Sequence, residues 1–335
     1  MSLNGEFLKN PITFLRTYAL SPPDGTAGQV IKSWTVPNAG NIASGANGLI
    51  NSTVSFKQVG GISKSFCSFK PHGLFPECLT VSISATRTSD DDFVQYWLPW
   101  DSLAITRYRL PPYPAALVDD DEDLEAFPRF FMTAGINGCS IFVDGPATQP
   151  TVYHAGITGT LARSAEAFWK EQLEECLRGT AREGSQPAGQ VHSHEYMQAD
   201  APVIKRYMEW AQSRNPQGFP VEVQSCFGSV VGVRFGRNWS FYLQENVMIQ
   251  DLQMMKSSQL NSRETDTGEM FYSTKDKGER VERRVITKER KYLPDKKTKI
   301  FVRAVHARCK CVRVSEIYPS RAFAGELKDF EVRAT

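Results

Sequence analysis

The chain has 335 residues, which is enough for two domains of ordinary size or one large domain with a buried core. Hydrophobic residues make up 41% of the chain and charged residues 23%, a balance that excludes a disordered, collagen-like or coiled-coil protein. The 39 Lys and Arg residues nearly cancel the 37 Asp and Glu residues, so a net charge of +2 provides no strong overall field for nucleic acid or a membrane surface.

The N-terminal region predicts neither an export signal nor a packed domain. Charged Glu6, Lys9 and Arg16 interrupt its short apolar pieces, so no Sec signal is expected. No part of the chain has the run of about 18 apolar residues that a spanning helix needs, so we expect no membrane span. Residues 38–61 are rich in Gly, Asn and Ser, and residues 1–61 are therefore interpreted as a loop-rich segment.

Several short strands are predicted next. Residues 79–87 alternate apolar and polar side chains, residues 88–92 favour a turn, and residues 93–100 are again typical of a strand. These features predict a β-hairpin. Residues 128–157 then contain three strand-like runs separated by glycines.

Two helices follow these strands. Apolar residues recur at helical spacing between Thr160, a possible N-cap, and Gly179, a possible helix end. A second helix is predicted from Asp200 as N-cap to about Asn215, with Pro202 in its first turn.

The remainder of the chain returns to strands and contains one basic segment. Residues 219–250 predict strands around a turn at Gly236. Residues 273–299 contain eleven Lys or Arg and five Asp or Glu, a local charge of +6 that the rest of the chain offsets with −4. This segment is interpreted as a solvated charged surface, with docking to an acidic partner as the alternative. Two further strands are predicted between 300 and 318.

The seven cysteines predict reduced thiols rather than a disulfide framework. Their number is odd, they are scattered, and no CxxC pair occurs. We therefore expect a protein made in a cytosol.

The strongest chemical signal is a Cys and a His within 24 residues, from Thr133 to Gly156. If the strands around Cys139 and His154 form a hairpin centred between positions 146 and 147, opposite residues sum to 293, as 139 and 154 do. Their Cβ atoms would then lie about 5 Å apart on one face, within reach of a thiolate–imidazolium pair. A slip of one residue would place them on opposite faces.

Two glycines near the cysteine are compatible with catalysis. Gly135 and Gly138 permit a sharp backbone path in which N–H groups of Cys139 and a neighbour point at a developing oxyanion. The alternative is that Cys139 is a small core residue and His154 a hydrogen-bonded strand histidine.

The stretch Ile136-Asn137-Gly138-Cys139, followed fifteen residues after the cysteine by His154-Ala155-Gly156, resembles the active-site signature of the thiol glutamine deamidases. This superfamily includes the catalytic domain of cytotoxic necrotizing factor, Burkholderia lethal factor and the chemoreceptor deamidase. The toxin members favour Leu-Ser-Gly-Cys, so this chain departs at the first two positions. The resemblance covers residues 133–156.

The resemblance implies a fold and a set of roles. It implies an α+β protein with a mixed, largely antiparallel β-sandwich core flanked by helices. Cys139 would be the nucleophile and His154 its histidine, and Thr133, six positions before the cysteine, would complete the site as in the lethal-factor branch. On this basis residues 62–250 are expected to form the catalytic core, and residues 251–335 a C-terminal β extension of the same fold.

The implied reaction converts glutamine to glutamate on a partner protein, for example a small GTPase or a translation factor, with no cofactor and no metal. The implied biology is that of a bacterial toxin or effector, made in the bacterial cytoplasm and delivered into a host or competitor cell without a Sec signal. No nucleic-acid partner is expected.

Three alternatives remain open at this stage. A thiol peptidase or a transglutaminase would use the same Cys-His pair up to the thioester. A non-enzymatic binding protein would use the basic segment 273–299 instead. Metal sites at His192–Glu195 and at Cys309–Cys311 are weaker hypotheses, because neither has an evident set of four ligands, and a polar loop and inward-facing strand cysteines explain these residues better.

Overall fold

The computed structural model describes most of the chain, with gaps between the described ranges. These ranges are 2–23, 29–36, 52–59, 64–73, 75, 77–114, 125–156, 165–215, 220–256, 269–276, 279–286, 300–319 and 322–326.

The chain divides into two compact units. The first comprises Met1–Ala199, Cys226–Val247 and Lys310–Thr335, and the second comprises Asp200–Ser225 and Met248–Cys309. These limits differ from the boundaries expected near 61 and 250, because long strands contain residues of both units.

The five helices described are short. Their bounds are α1 Leu3–Lys9, α2 Pro11–Thr17, α3 Ala165–Leu177, α4 Ser193–Tyr196 and α5 Pro202–Ser213.

Strands account for most of the described residues. In the first half of the chain they are β1 Ala19–Ser21, β2 Gln29–Val36, β3 Ser52–Gln58, β4 Lys64–Pro71, β5 Cys78–Ser84, β6 Phe93–Leu98, β7 Ala104–Arg109, β8 Phe130–Thr133, β9 Ser140–Asp144 and β10 Thr151–Gly156. In the second half they are β11 Gly189–Val191, β12 Val221–Phe235, β13 Asn238–Lys256, β14 Glu269–Asp276, β15 Glu279–Ile286, β16 Ile300–Tyr318 and β17 Ala322–Glu326.

The strands form two large sheets and one hairpin. The order in the nine-stranded sheet is β1-β5-β4-β6-β8-β12-β13-β16-β17, and the order in the six-stranded sheet is β11-β9-β10-β7-β3-β2. Strands β14 and β15 pair with each other. Most neighbours run antiparallel, but β1 with β5, β3 with β7 and β6 with β8 are parallel. The predicted α+β class with a mixed, largely antiparallel sandwich is confirmed.

Three apolar clusters show how the first unit is layered. Leu98 and Phe131 of the large sheet pack with Ile141 and Val152 of the six-stranded sheet, which places a core between the two sheets. A second cluster joins Phe7 and other apolar residues of α1 and α2 to the outer face of the large sheet. A third joins α3 to the outer face of the six-stranded sheet. The layers are therefore helix, sheet, sheet and helix.

The N-terminal segment 1–61 is more ordered than its composition predicts. Helices α1 and α2 bury Phe7, Phe14 and Leu15. Strand β3 alternates buried Val54 and Phe56 with more exposed neighbours, so its Ser-rich sequence still provides one apolar face. The loop-rich interpretation is wrong for these described residues, and residues 37–51 lie outside the described ranges.

The predicted hairpin of residues 79–87 with 93–100 is also wrong, although both strands exist. Strand β4 lies between β5 and β6 and pairs antiparallel with each of them. The turn between β5 and β6 is held locally, because the Asp92 carboxylate accepts hydrogen bonds from the backbone of Thr88 and Ser89. A local turn does not determine which strands become neighbours.

The predicted helices are confirmed with small shifts at their ends. Helix α3 ends just before Gly179, whose φ of +77° suits a residue without a side chain. The proposed N-cap Thr160 lies outside the described residues. In α5 the N-cap is Ala201 rather than Asp200, and Pro202 occupies the first turn as expected.

The later strands are longer than predicted. Strands β12 and β13 flank a turn at Gly236, and β16 runs without interruption where two strands were expected. The described part of the basic segment 273–299 belongs to the hairpin of β14 and β15, and residues 287–299 lie outside the described ranges.

All seven cysteines are buried and none is in a disulfide, as the sequence predicted. Among the helices within the described ranges, none has the length and apolarity needed to cross a membrane.

Candidate functional site

The hairpin of β9 and β10 carries Cys139 and His154, but its register differs from the expected one. His154 lies opposite Ile141, and Ala155 lies opposite Ser140, so opposite residues sum to 295 rather than 293. The reason is the loop, since the ladder closes at the Asp144–Thr151 pair and leaves six residues, Gly145 to Pro150, between the strands. The expected direct opposition of Cys139 and His154 is therefore wrong.

The shift preserves the shared face of the two residues. When the numbers of opposite residues sum to 295 instead of 293, each residue faces a partner two positions further along the chain. Side chains two positions apart in a strand point to the same face. Continued one step beyond the Ser140–Ala155 pair, this register would bring Cys139 opposite Gly156. His154 is then the diagonal neighbour of Cys139, at a typical Cβ separation of about 7 Å. The long imidazole side chain can cover part of that separation.

Thr133 and His154 meet across the two sheets. Thr133 ends β8 of the large sheet, and its Oγ1 lies 2.5 Å from Nδ1 of His154 on β10 of the other sheet. Both side chains are fully buried. The contact joins two of the three residues that the resemblance selects.

The environment of His154 keeps its imidazole neutral. Burial lowers the pKa of His154 from 6.5 to about 3, because a charged ring would lose its hydration. Within the described part of the chain, Nε2 has no hydrogen-bond partner. If Nδ1–H donates to Thr133 Oγ1, Nε2 keeps a lone pair, and this is the tautomer that a general base requires.

We expect the Thr133–His154 contact to stabilise the fold measurably. Thr133→Val keeps the side-chain shape but leaves Nδ1 buried without a partner, which should lower the free energy of unfolding by about 1 to 3 kcal/mol. Thr133→Ser retains the hydroxyl, so its free energy of unfolding should fall by less than that of Thr133→Val. Urea unfolding of the two variants measures the difference, and equal stability of Val and Ser variants would contradict a hydrogen bond at this position.

The backbone before Cys139 is held at three points. Ala134 N–H donates to the Leu98 carbonyl, and Ile136 exchanges two backbone hydrogen bonds with Gly228. Gly138, with φ of +93°, donates its N–H to the Tyr196 hydroxyl at 3.0 Å. The position of the cysteine is thus determined by both neighbouring strands and by α4.

Tyr196 is a contact that sequence analysis missed. Its hydroxyl accepts from Gly138 N–H and donates to the Cys139 carbonyl at 2.9 Å. Burial raises its pKa, so the hydroxyl stays neutral and can donate. The N–H of Gly138, one neighbour of the expected Cys139 donor, is therefore already engaged. Gly135 is not required sterically, since a Cβ there would make only an ordinary contact of 3.5 Å with the Pro22 carbonyl oxygen.

Trp100 explains why position 156 is a glycine. A methyl group on Gly156 would overlap Nε1 and Cδ1 of Trp100 and would lie 2.6 Å from the Asp101 carbonyl oxygen. The indole therefore lies directly on the backbone of Gly156, two residues from His154. Thr106 supports this arrangement, because its hydroxyl donates to the carbonyls of Pro99 and His154.

The site is closed in this structure. Cys139 is 3% exposed and belongs to the core between the sheets, and His154 is fully buried. Access of a glutamine side chain to the sulfur would therefore require a local movement.

A second buried histidine lies on the other face of the same hairpin. His192 Nδ1 lies 2.9 Å from the Ser140 hydroxyl, and the His192 ring stacks on His194. Burial lowers the pKa of His192 to about 4. The expected polar loop is instead the end of β11 and the start of α4. Among the residues that the structure describes, no group of three or more His, Cys, Asp or Glu side chains has the geometry of a metal site.

The remaining sequence candidates are core residues. Cys309 and Cys311 are buried, as inward-facing strand cysteines would be.

Comparison with known proteins leaves the site to be judged on its geometry. No family model matches the chain, and a search of curated proteins returned no match.

Proposed function

We propose that this protein is a cysteine-dependent glutamine deamidase that acts on a partner protein, with Cys139 as nucleophile, His154 as general base and acid, and Thr133 as the residue that orients His154. The observation that carries the proposal is the buried Thr133–His154 contact, which leaves Nε2 without a described partner on the face that Cys139 shares. The resemblance of residues 133–156 to the thiol deamidases supplies the substrate class.

The first half of the reaction forms a thioester. His154 Nε2 takes the thiol proton of Cys139 as Sγ attacks the carboxamide carbon, so a C–S bond forms and the carbonyl electron pair moves to oxygen. The imidazolium then gives its proton to the amide nitrogen. The C–N bond breaks, ammonia leaves and the carbonyl forms again.

The second half releases glutamate. A water molecule loses a proton to Nε2 and attacks the thioester carbon, and the resulting tetrahedral intermediate collapses with cleavage of the C–S bond. The imidazolium returns its proton to the departing sulfur. Atoms balance as glutamine plus water giving glutamate plus ammonia.

The low pKa of His154 determines the resting state of this pair. A neutral imidazole in a closed core favours an uncharged thiol as its partner, since two opposite charges would both have to be desolvated. The proton moves to Nε2 as Sγ bonds to an electrophile, so alkylation of Cys139 and its attack on a carboxamide both depend on His154.

We further propose that the protein works as a bacterial effector on a host or competitor protein, which the resemblance to toxin deamidases supports. A thiol peptidase and a transglutaminase share the steps up to the thioester. They differ in product, because the first creates new chain termini and the second creates cross-links between glutamine and an amine.

The first test measures how fast each cysteine of the folded protein reacts with iodoacetamide, by peptide mass spectrometry. We expect Cys139 to react about 10-fold faster than Cys176 or more, because Cys176 is a buried thiol whose pKa burial raises. His154→Gln should remove this difference. If Cys139 is no more reactive than Cys176 until the protein unfolds, the enzyme proposal is wrong.

The second test identifies the product. Wild-type protein is incubated with bacterial and human cell lysates, and peptides are searched for glutamines that gain about one dalton, for new termini and for cross-links. We expect the mass gain, its absence with Cys139→Ser, and a rate lower by about 100-fold or more with His154→Gln. Cys176→Ser is the matched control and should retain full activity. New termini or cross-links would instead identify a peptidase or a transglutaminase.

A further inference from the structure

We propose that the indole N–H of Trp100 is the hydrogen-bond donor that holds the substrate oxygen during the reaction at Cys139. This inference rests on the proposed function and adds a catalytic residue to it. Nothing in the sequence motif points to Trp100, which lies 39 positions before the cysteine.

The Trp100 ring lies on the strand that carries His154. It covers Gly156 so closely that a Cβ atom there would overlap Nε1. Gly156 follows His154 by two residues and therefore lies on the same face. Continued one step beyond its last pair, Ser140–Ala155, the ladder would bring Cys139 opposite Gly156, where Cβ atoms are typically about 5 Å apart. The indole nitrogen is thus next to position 156, on the face that Cys139 and His154 share.

The indole N–H of Trp100 makes no hydrogen bond with the described residues. The ring of Trp100 is partly exposed, but its Nε1 is buried and has no partner among the described residues. A buried donor without an acceptor costs about 1 to 3 kcal/mol. A carbonyl oxygen bound next to Cys139 would supply the missing acceptor, and it would do so most strongly when it carries negative charge.

One backbone donor beside the sulfur is already engaged, because the Gly138 N–H donates to the Tyr196 hydroxyl. The Trp100 N–H would therefore act alongside the N–H of Cys139 in holding an oxyanion. Thr106 links the residue before Trp100 to the strand of His154, since its hydroxyl lies 2.9 Å from the Pro99 carbonyl oxygen and 3.3 Å from the His154 carbonyl oxygen.

Two other indoles show why position matters more than the missing partner. Trp169 and Trp239 also bury an Nε1 without a partner within the described ranges. Trp169 is on α3 and packs against the outer face of the six-stranded sheet. Trp239 binds the Ala147 carbonyl through its backbone, at the loop end of the β9–β10 hairpin. Trp169 shares its cluster with Ala155, on the face of the sheet opposite to Cys139, and neither ring supplies one of the three atoms nearest to a Cβ built at position 156.

This arrangement orients the substrate. An indole N–H can donate but cannot accept, so it selects the carboxamide oxygen and leaves the nitrogen to His154, which must protonate the departing ammonia. Any substrate or analogue with a carbonyl oxygen at this position should use the same contact.

The test uses N-acetyl-glutamate γ-semialdehyde, in which an aldehyde replaces the carboxamide. The Cys139 thiol adds to the aldehyde, so a C–S bond forms and the carbonyl oxygen takes the negative charge or the thiol proton. The aldehyde concentration that halves the rate of Cys139 alkylation by iodoacetamide measures this addition. For Trp100→Phe we expect that concentration to rise about 100-fold, as for loss of one oxyanion donor.

Alkylation itself has no tetrahedral oxyanion, so its rate without aldehyde should stay close to that of the wild type. Trp169→Phe is the matched control, because it removes a buried indole N–H that also has no partner among the described residues but packs on the opposite face of the six-stranded sheet, and it should behave as the wild type. If Trp100→Phe does not fold, replacement of Trp100 by 3-benzothienylalanine keeps the ring shape without the N–H.

The possible outcomes separate the two proposals. Equal aldehyde protection in the wild type and in a folded Trp100 variant would overturn the role of Trp100 and leave the Cys139 site intact. If the aldehyde does not protect Cys139 in the wild type, the proposed function fails and the role of Trp100 fails with it. Protection that weakens equally in Trp169→Phe would also overturn the assignment.

Discussion

Lowering the pH from 7 to 5 should reduce the free energy of unfolding by about 4 kcal/mol, with about half from His154 and half from His192. Both rings are buried, and burial lowers their pKa values from 6.5 to about 3 and about 4. Partly compensating charges surround His192, since Glu166 and Glu195 raise its pKa while Lys170 and His194 lower it further.

The sign follows from where the protons bind. Between pH 6.5 and about 4 the unfolded chain takes up a proton on each histidine, whereas the folded chain does not. The stabilisation is fully present above pH 6.5 and is lost as the pH falls toward the folded pKa values. Carboxylates with lowered pKa values, such as Asp92 and Glu175, change the free energy of unfolding mainly below this pH range.

Urea unfolding at pH 7, 6 and 5 measures the effect. His154→Gln and His192→Gln should each remove about half of the pH dependence, and His194→Gln, at a more exposed ring, serves as the matched control. If the stability of the wild type does not change between pH 7 and 5, the rings are not held neutral and the general-base assignment of His154 loses its basis.

Local features of the sequence predicted the elements well. Helix α3 follows from apolar residues at helical spacing and from Gly179, and the strands around Cys139 and His154 follow from short apolar runs between glycines. These signals depend on residues close together in the chain. They determine the type of an element, and its ends to within a few residues.

Pairing between elements was less predictable. Strand β4 lies between β5 and β6 although these three strands follow one another in the chain, and parallel β3 pairs with the distant β7. The register of the β9–β10 hairpin depended on a six-residue loop whose path the sequence does not specify. Cys139 and His154 still share one face, because the register differs from the expected one by an even number of residues.

The residues of the candidate site were also only partly predictable from the sequence. Cys139, His154 and Thr133 occupy one short stretch, so a motif could select them, and the Thr133–His154 contact then brings together the ends of that stretch. Tyr196 and Trp100 reach the site from other parts of the chain. Their positions depend on how the sheets pack. The only indication in the sequence is Gly156 of the His-x-Gly motif, because a glycine within a strand often marks a close approach of another group to the backbone.

That glycine provides the most direct mutational test of the site. Gly156→Ala should lower the free energy of unfolding by about 3 kcal/mol or more, because the new methyl group would overlap the Trp100 indole and lie 2.6 Å from the Asp101 carbonyl oxygen. Gly73→Ala is the matched control, since a Cβ at Gly73 meets nothing within 4 Å, and it should change stability by less than about 0.5 kcal/mol.

A second substitution tests the cause of this loss. Trp100→Ala in the Gly156→Ala background removes the overlapping ring but not the Asp101 carbonyl, so the cost of the methyl group should fall without vanishing. Urea unfolding of the two single variants and the double variant gives the coupling between these positions. If Gly156→Ala is as stable as Gly73→Ala, the indole does not lie on Gly156, and the geometry that places its N–H beside Cys139 is wrong. A strong coupling, in contrast, would establish the contact independently of any enzymatic assay, because it depends only on the space between Trp100 and the strand that carries His154.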